Sequence, residues 1–284
     1  MQSEHIRAEG PNAAQIEYWN AEAGNTWVRN QQLLDGMLDG ISDVALARAG
    51  VQSGERVLDV GCGCGATALA LARLGARVTG MDISEPMLEL ARSRAAESSL
   101  ELEFRLADAE LLADESQYDL VFSRFGVMFF ADPTEAFTNL FKAMKPGARM
   151  NFVCWQAPQL NPWMSAPMAA ALSEMPPMER PDPRAPGPFA FAEAEYVTAV
   201  LAAPGFKKIL LEPLELPIQL APDIDEAFHF FLQLSPLGRL LQEADLDTQA
   251  RISSRVRQIF AAHLTSEGIR MDAACWLVSA SKPA

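Results

Sequence analysis

Three glycines at alternate positions, Gly61, Gly63 and Gly65, end the apolar run Arg56-Val57-Leu58-Asp59-Val60 and lead straight into a helical stretch, Ala66 to Leu74. Few short patterns constrain a chain more. The run is the length of a buried strand. Glycines without Cβ atoms let the backbone turn sharply and let a ligand press against it. The helix that follows presents unpaired N–H groups to whatever lies in the turn. A second strand, Arg77-Val78-Thr79-Gly80-Met81-Asp82, closes on a carboxylate 23 residues beyond Asp59. An acid in that place is positioned to accept from both hydroxyls of a ribose. The segment therefore predicts a strand–turn–helix–strand unit that binds an adenosine-containing cofactor. Gly61-x-Gly63-x-x-Ala66 also fits the dinucleotide fingerprint, which by itself is a weak signal.

The rest of the chain extends the alternation. Strands are expected over Leu102–Ala107, Tyr118–Ser123 and Ala148–Trp155, with helices opening at Pro86 and Pro133. Proline suits a first helical turn, where its missing N–H costs nothing. Strands alternating with helices predict an α/β fold with a mostly parallel sheet covered on both faces. Ahead of the glycine loop, one helix is expected over residues 12–24 and another over Val28–Arg48, with Gly50 as C-cap. After Trp155 the pattern breaks. Nine of the 19 prolines fall between Pro158 and Pro188. A helix over Phe191–Ala203 and strands over Lys207–Leu216 and Asp272–Ser281 bracket a helical stretch, Pro222–Gly268. The chain thus divides into N-terminal helices that form a lid (1–50), a cofactor-binding core (51–156) and a Pro- and Met-rich insertion (157–190). A continuation of the core (191–221), a helical cap insertion (222–268) and the last core strand (269–284) complete it.

Composition excludes several classes. The 284 residues carry 37 acidic and 23 basic side chains, for a net charge of −14. Such a surface repels phosphate backbones, so no nucleic-acid partner is expected. The longest uncharged stretch, Ala157 to Ser173, is interrupted by Pro158, Pro162 and Pro167, so no membrane span is expected. The N-terminus lacks a basic-then-apolar signal pattern, and a cytoplasmic location is the default. Cys62, Cys64, Cys154 and Cys275 have no partners at metal-ligand spacing and read as buried thiols; no metal is expected.

Asp59 stands two residues before the first glycine, Asp108-Ala109-Glu110 follows the third strand, and Lys145-Pro146-Gly147 precedes the fifth. With the loop and Asp82, these resemble the class I S-adenosylmethionine-dependent methyltransferases over residues of about 50–156. The nearest type is that of ubiquinone and menaquinone biosynthesis. The resemblance implies a Rossmann-like, seven-stranded, mostly parallel sheet flanked by helices, with a helical cap built from insertions. It implies S-adenosylmethionine as cofactor and S-adenosylhomocysteine as product. Carried over position by position, Asp59, Gly61, Cys62, Gly63 and Gly65 form the loop beside the methionine part, and Asp82 holds the ribose. Ile83 and Met87 pack on adenine, and Asp108, Ala109 and Glu110 meet its edge. Ser123, Arg124, Phe125 and Gly126 floor the methyl pocket. Gly147-Ala148 stands where many members have two glycines. The 47-residue stretch Pro222–Gly268 replaces a short hairpin loop, so the resemblance says least where the acceptor would be chosen.

Outside the core, Tyr18 and Trp27 are the expected lid contacts to the cofactor. Phe125, Trp163 and Phe189 are candidates for contact with an apolar acceptor. Arg124 and His229 are the catalytic candidates, although His229 shares its side of the helix with Asp225 and Gln233, off the apolar stripe. The reaction implied is methyl transfer to the O, N or C atom of an apolar small molecule of aromatic or quinone-like character. Methylation of a protein or RNA, or a sensor or assembly subunit that binds the cofactor without turnover, are the alternatives. The oligomeric state is not legible.

Overall fold

The structure, a computed structural model, describes residues 8, 10–176 and 182–284. The chain opens with α1 (Ala13–Asn20), α2 (Glu22–Arg29) and α3 (Gln31–Ala49). The alternating core follows: β1 (Arg56–Val60), α4 (Ala66–Arg73), β2 (Arg77–Asp82), α5 (Glu85–Glu97), β3 (Glu103–Leu106), β4 (Tyr118–Arg124), α6 (Pro133–Ala143) and β5 (Met144–Trp155). Then come α7 (Pro162–Leu172), α8 (Ala194–Ala202) and β6 (Lys207–Ala221), followed by α9 (Ile224–Leu234), α10 (Leu237–Glu243) and α11 (Leu246–Ala261). β7 (Leu264–Thr265) and β8 (Gly268–Ser281) close the chain.

All strands join one sheet in the order β3-β2-β1-β4-β5-β8-β6, with β7 paired to β8 beside this path. β1 to β5 run parallel, and β8 runs antiparallel to both β5 and β6. β1 buries four successive residues, as a strand covered on both faces must. The order reverses between β1 and β4, and the crevice beyond their carboxyl ends is where open sheets of this kind take ligands. Among the described residues, no helix is long and apolar enough to cross a membrane.

Four expectations need correction. The sheet has eight strands rather than seven, because Leu264–Thr265 turns back on Gly268 and Ile269 at the end of a segment expected to be helical. β6 continues five residues past Leu216, pairing through Pro217, Ile218 and Gln219 with Asp272, Met271 and Arg270. Proline is tolerated there because β6 is an edge strand with no outer ladder to supply. The strand expected from Asp272 accordingly begins at Gly268. Finally, the first expected helix is two, broken at Ala21. A Cβ on Gly24 would lie 2.1 Å from the Trp19 carbonyl oxygen and 2.7 Å from Ser84 Oγ, so only glycine permits α2 to fold back so closely.

Candidate active site

The loop between β1 and α4 holds its three glycines at φ of +65°, +53° and +81°, the left-handed region that side chains avoid. The Gly61 and Cys62 amides both donate to the Met81 carbonyl, at 2.8 and 3.1 Å, pinning the loop to β2. At the end of β2 the Asp82 carboxylate accepts from Gly63 N at 2.8 Å and from Ser84 N at 2.9 Å. Burial pushes its pKa up, opposed by those two amides. Each oxygen keeps a second lone pair for a ligand. Asp59 is fully buried beneath the loop. Its Oδ2 accepts from Thr67 Oγ1 at 2.7 Å, whereas Oδ1 has no partner. Burial pushes this carboxyl up to about 7.

A cavity of about 330 Å³ opens beside the loop. At one end it meets Gly61, Cys62, Gly63, Asp82, Ile83 and Met87, with Asp108 and Ala109 beyond. Asp108 is 5% exposed; its Oδ1 accepts from Glu110 N and its Oδ2 from Asn12 Nδ2, both at 2.9 Å. The other end is apolar. Phe125 stacks on Trp155 with centroids 4.1 Å apart and planes 10° apart, and Trp163 packs against Trp155 at 5.1 Å. Phe230 and Phe231 of α9 also line the cavity. Phe125 holds φ of +62°, a conformation costly for a residue with a side chain and commonest at functional sites.

The N-terminal arm covers the cofactor end. Tyr18 and Trp27 line the cavity, as does Trp19, which meets Tyr18, Trp27 and Phe129 edge-on at 5.2, 5.9 and 5.1 Å. Asn20 ties the arm down: its Nδ2 donates to the Ile83 carbonyl at 2.7 Å, and its Oδ1 accepts from Glu85 N at 2.9 Å. Arg124 also lines the cavity, donating from Nη1 to Ser42 Oγ at 2.8 Å. Its burial pulls the pKa down, and no carboxylate lies within ion-pair distance among the described residues.

Several sequence candidates point elsewhere. The Glu110 side chain faces the loop before α6, accepting from Ala131 N at 2.7 Å and Asp132 N at 3.1 Å, and does not line the cavity. Ser123 Oγ donates to the Val60 carbonyl at 2.7 Å behind the glycine loop. Gly65 packs on α5, where a Cβ would meet Ala91 Cβ at 2.9 Å. Asp59 reaches the cavity only through its partner Thr67. Phe189 stands back from the cavity, and the neighbouring Pro188 lines it instead. His229 is exposed and off the cavity, with Phe230 turned inward in its place, so it has no access to a reacting atom. Sequence reasoning overlooked Asn12, Gln31, Asp35, Thr67, Trp155 and Phe230, all of which line the cavity. Of these only Thr67, in the first turn after the glycine loop, carried a local signal.

The residues present fit a bound nucleoside cofactor. A Cβ on Gly61 would come within 2.6 Å of Gly126 Cα, a backbone atom that cannot turn aside, whereas at Gly63 the nearest atom is the movable Met87 Cε and the φ of +53° is what favours glycine. On the lining residue Asn12 a buried oxygen, Oδ1, lacks a partner among the described residues.

Residues 57–147 match the methyltransferase domain family. The chain is 40% identical over 106 residues to a ubiquinone biosynthesis O-methyltransferase of Bordetella avium, covering 37% of this chain and 44% of that protein. It is 37% identical over 131 residues to a demethylmenaquinone methyltransferase of Clavibacter sepedonicus, covering 45% and 53%. The matches thus span about half the length of these curated relatives. In fold it is similar to the crystal structure of the YcgJ protein of Bacillus subtilis, with a TM-score of 0.59 at 21% identity over 86% of this chain and 98% of the other.

Proposed function

We propose that this chain, which carries a class I S-adenosylmethionine-dependent methyltransferase core, methylates an O, N or C atom of an apolar small molecule of aromatic or quinone-like character. One observation carries the reading. A single cavity runs from the glycine loop, Asp82 and Asp108 to the aromatic wall of Phe125, Trp155 and Trp163. The names of the two quinone-pathway relatives agree with an apolar ring as acceptor.

When bound, S-adenosylmethionine supplies a methyl group already activated on a sulfonium, and S-adenosylhomocysteine is the product. The protein has the remaining work. The Gly61–Gly65 loop and Asp82 hold the sugar and methionine ends, while Ile83, Met87, Asp108 and Ala109 hold the base. Phe125 and Trp155 offer a flat face that aligns an aromatic acceptor, and alignment alone is worth about 7–11 kcal/mol. The aromatic lid and α9 exclude water. No histidine, lysine or glutamate lines the cavity among the described residues, which leaves Asp35 as the lining carboxylate outside the cofactor contacts if the acceptor needs a base. Methylation of a nucleic acid is the weaker reading, because the net charge of −14 repels it.

The test uses S-adenosylmethionine labelled in the methyl group, incubated with the protein and a cell extract. Label recovered in an organic-soluble compound is the expected result and identifies the acceptor. Label in protein or RNA, or S-adenosylhomocysteine binding without any transfer across a panel of phenols and quinols, would overturn the reading.

A further inference from the structure

Asn12 occupies the residue before α1, where an asparagine side chain ordinarily caps its own helix. Here it makes no such bond. Its Nδ2 instead reaches across 96 positions of sequence to Asp108 Oδ2 at 2.9 Å. That contact sets the orientation of the amide, whose nitrogen donates to the carboxylate oxygen. Oδ1 must therefore point the other way. It is buried, has no partner among the described residues, and belongs to a residue that is 4% exposed and lines the cavity next to Asp108 and Ala109. Leaving a buried acceptor unpaired is unfavourable, so a donor is called for. If S-adenosylmethionine is the cofactor, one group can supply it. The exocyclic amine is the only N–H donor that an adenine base offers.

We propose that Asn12 reads the purine together with Asp108, its Oδ1 accepting an N–H of the adenine amine, so that the N-terminal arm is part of the base-specificity site. This rests on the methyltransferase reading above. Asn20, whose side chain bonds to Ile83 and Glu85, fixes the other end of α1 to the same region, so the arm is held where the amide is needed.

The test compares S-adenosylhomocysteine with S-inosylhomocysteine, which replaces the amine by an oxygen, using calorimetry on the full chain. The wild type should bind the adenine compound more tightly by about 100-fold or more, since a site built for a donor rejects the analogue that lacks it. Asn12→Ala should weaken S-adenosylhomocysteine by about tenfold, the equivalent of one lost hydrogen bond. It should leave the inosine compound unchanged or slightly tighter. Asn12→Ser keeps a residue suited to a helix start and carries the test if the alanine variant does not fold. Equal weakening of both compounds would make Asn12 a structural tie only and overturn the proposal, as would no change in either. Failure of the wild type to bind either compound would overturn the cofactor reading itself.

Discussion

Replacing Gly61 by alanine tests whether the loop's shape is dictated by its own backbone packing. Two costs are separable. At φ of +65° any side chain meets left-handed strain of about 1–2 kcal/mol. The new Cβ would also lie 2.6 Å from Gly126 Cα, roughly 1 Å inside the contact distance of about 3.5–4.0 Å. The obstacle is backbone and cannot rotate away. Gly126 is itself wedged, since a Cβ on it would stand 2.7 Å from the Val60 carbonyl oxygen, and its amide is held by Ser123 Oγ. Overpacking of this kind adds about 1–3 kcal/mol. The sum, about 2–5 kcal/mol, is a large part of the 5–15 kcal/mol that typically holds a domain together. Gly147→Ala is the control. It has φ of +78° but nothing within 4 Å, so only the strain applies. Urea unfolding should place Gly61→Ala at least about 1 kcal/mol below Gly147→Ala. Displacing the loop by about 1 Å should also lower methyl transfer by about 100-fold in the first variant alone. Equal stabilities and equal rates would refute the claim that this close approach shapes the site.

Three further outcomes follow from the geometry. The folded-state pKa of Asp59 is raised to about 7 by burial, from an ordinary value of about 4. Its contribution to stability is therefore fully present below about pH 4 and is lost as pH rises toward and through 7. The stability of Asp59→Asn relative to wild type should climb across that window, and a flat difference from pH 4 to 8 in denaturant titrations would contradict the assignment. Asp82→Asn leaves one of the two backbone amides, Gly63 N or Ser84 N, facing an amide donor instead of an oxygen. Loss of a charge-assisted bond should weaken S-adenosylhomocysteine by about 30-fold in calorimetry, and unchanged affinity would remove Asp82 from the site. Under the proposed reading, in which Phe230 meets the acceptor, Phe230→Ala should raise the KM of the acceptor by about 30-fold while leaving S-adenosylhomocysteine affinity within about twofold. Loss of both together would make Phe230 a residue of the common core.

What the sequence disclosed was local. β1, its glycines, β2 and Asp82 lie within 27 residues, and each makes its demand on its neighbours. Backbone freedom at Gly61 and the amides that close on Asp82 follow from that short stretch. Glu110 and Ser123 show the limit of position-by-position transfer. Each is adjacent to a residue that does line the cavity, Ala109 in one case and Arg124 in the other, but its side chain turns to satisfy backbone groups of the core. The apolar end was hidden by a different circumstance. α9 has Phe228, Phe230 and Phe231 nearly in succession, and all three are buried against different surroundings. Phe228 takes the Arg257 guanidinium on its ring at 4.4 Å, Phe231 packs on Phe260 of α11, and Phe230 turns to the cavity. A helix buried on more than one face has no single apolar stripe, so periodicity cannot say which ring meets a ligand.

The arm completes the argument about where specificity resides. Asn12, Trp19 and Trp27 reach the cavity from before the alternating core begins, and Phe230 and Phe231 reach it from between the last two long strands. The part of the cavity beside the glycine loop and β2 is thus completed by the N-terminal arm, which Asn12, Trp19 and Asn20 anchor at Asp108, Ser84, Ile83 and Glu85. The aromatic wall of Phe125 and Trp155 belongs to the sheet and the loop after β4, whereas Phe230 and Phe231 come to the same cavity from α9. Contacts of this range leave no trace in local patterning, since their energy comes from groups brought together only after the sheet exists. A shared sheet can therefore serve different acceptors by exchanging the segments at either end, and under the proposed reading α9 and the residues around Trp163 are the segments to exchange in this chain.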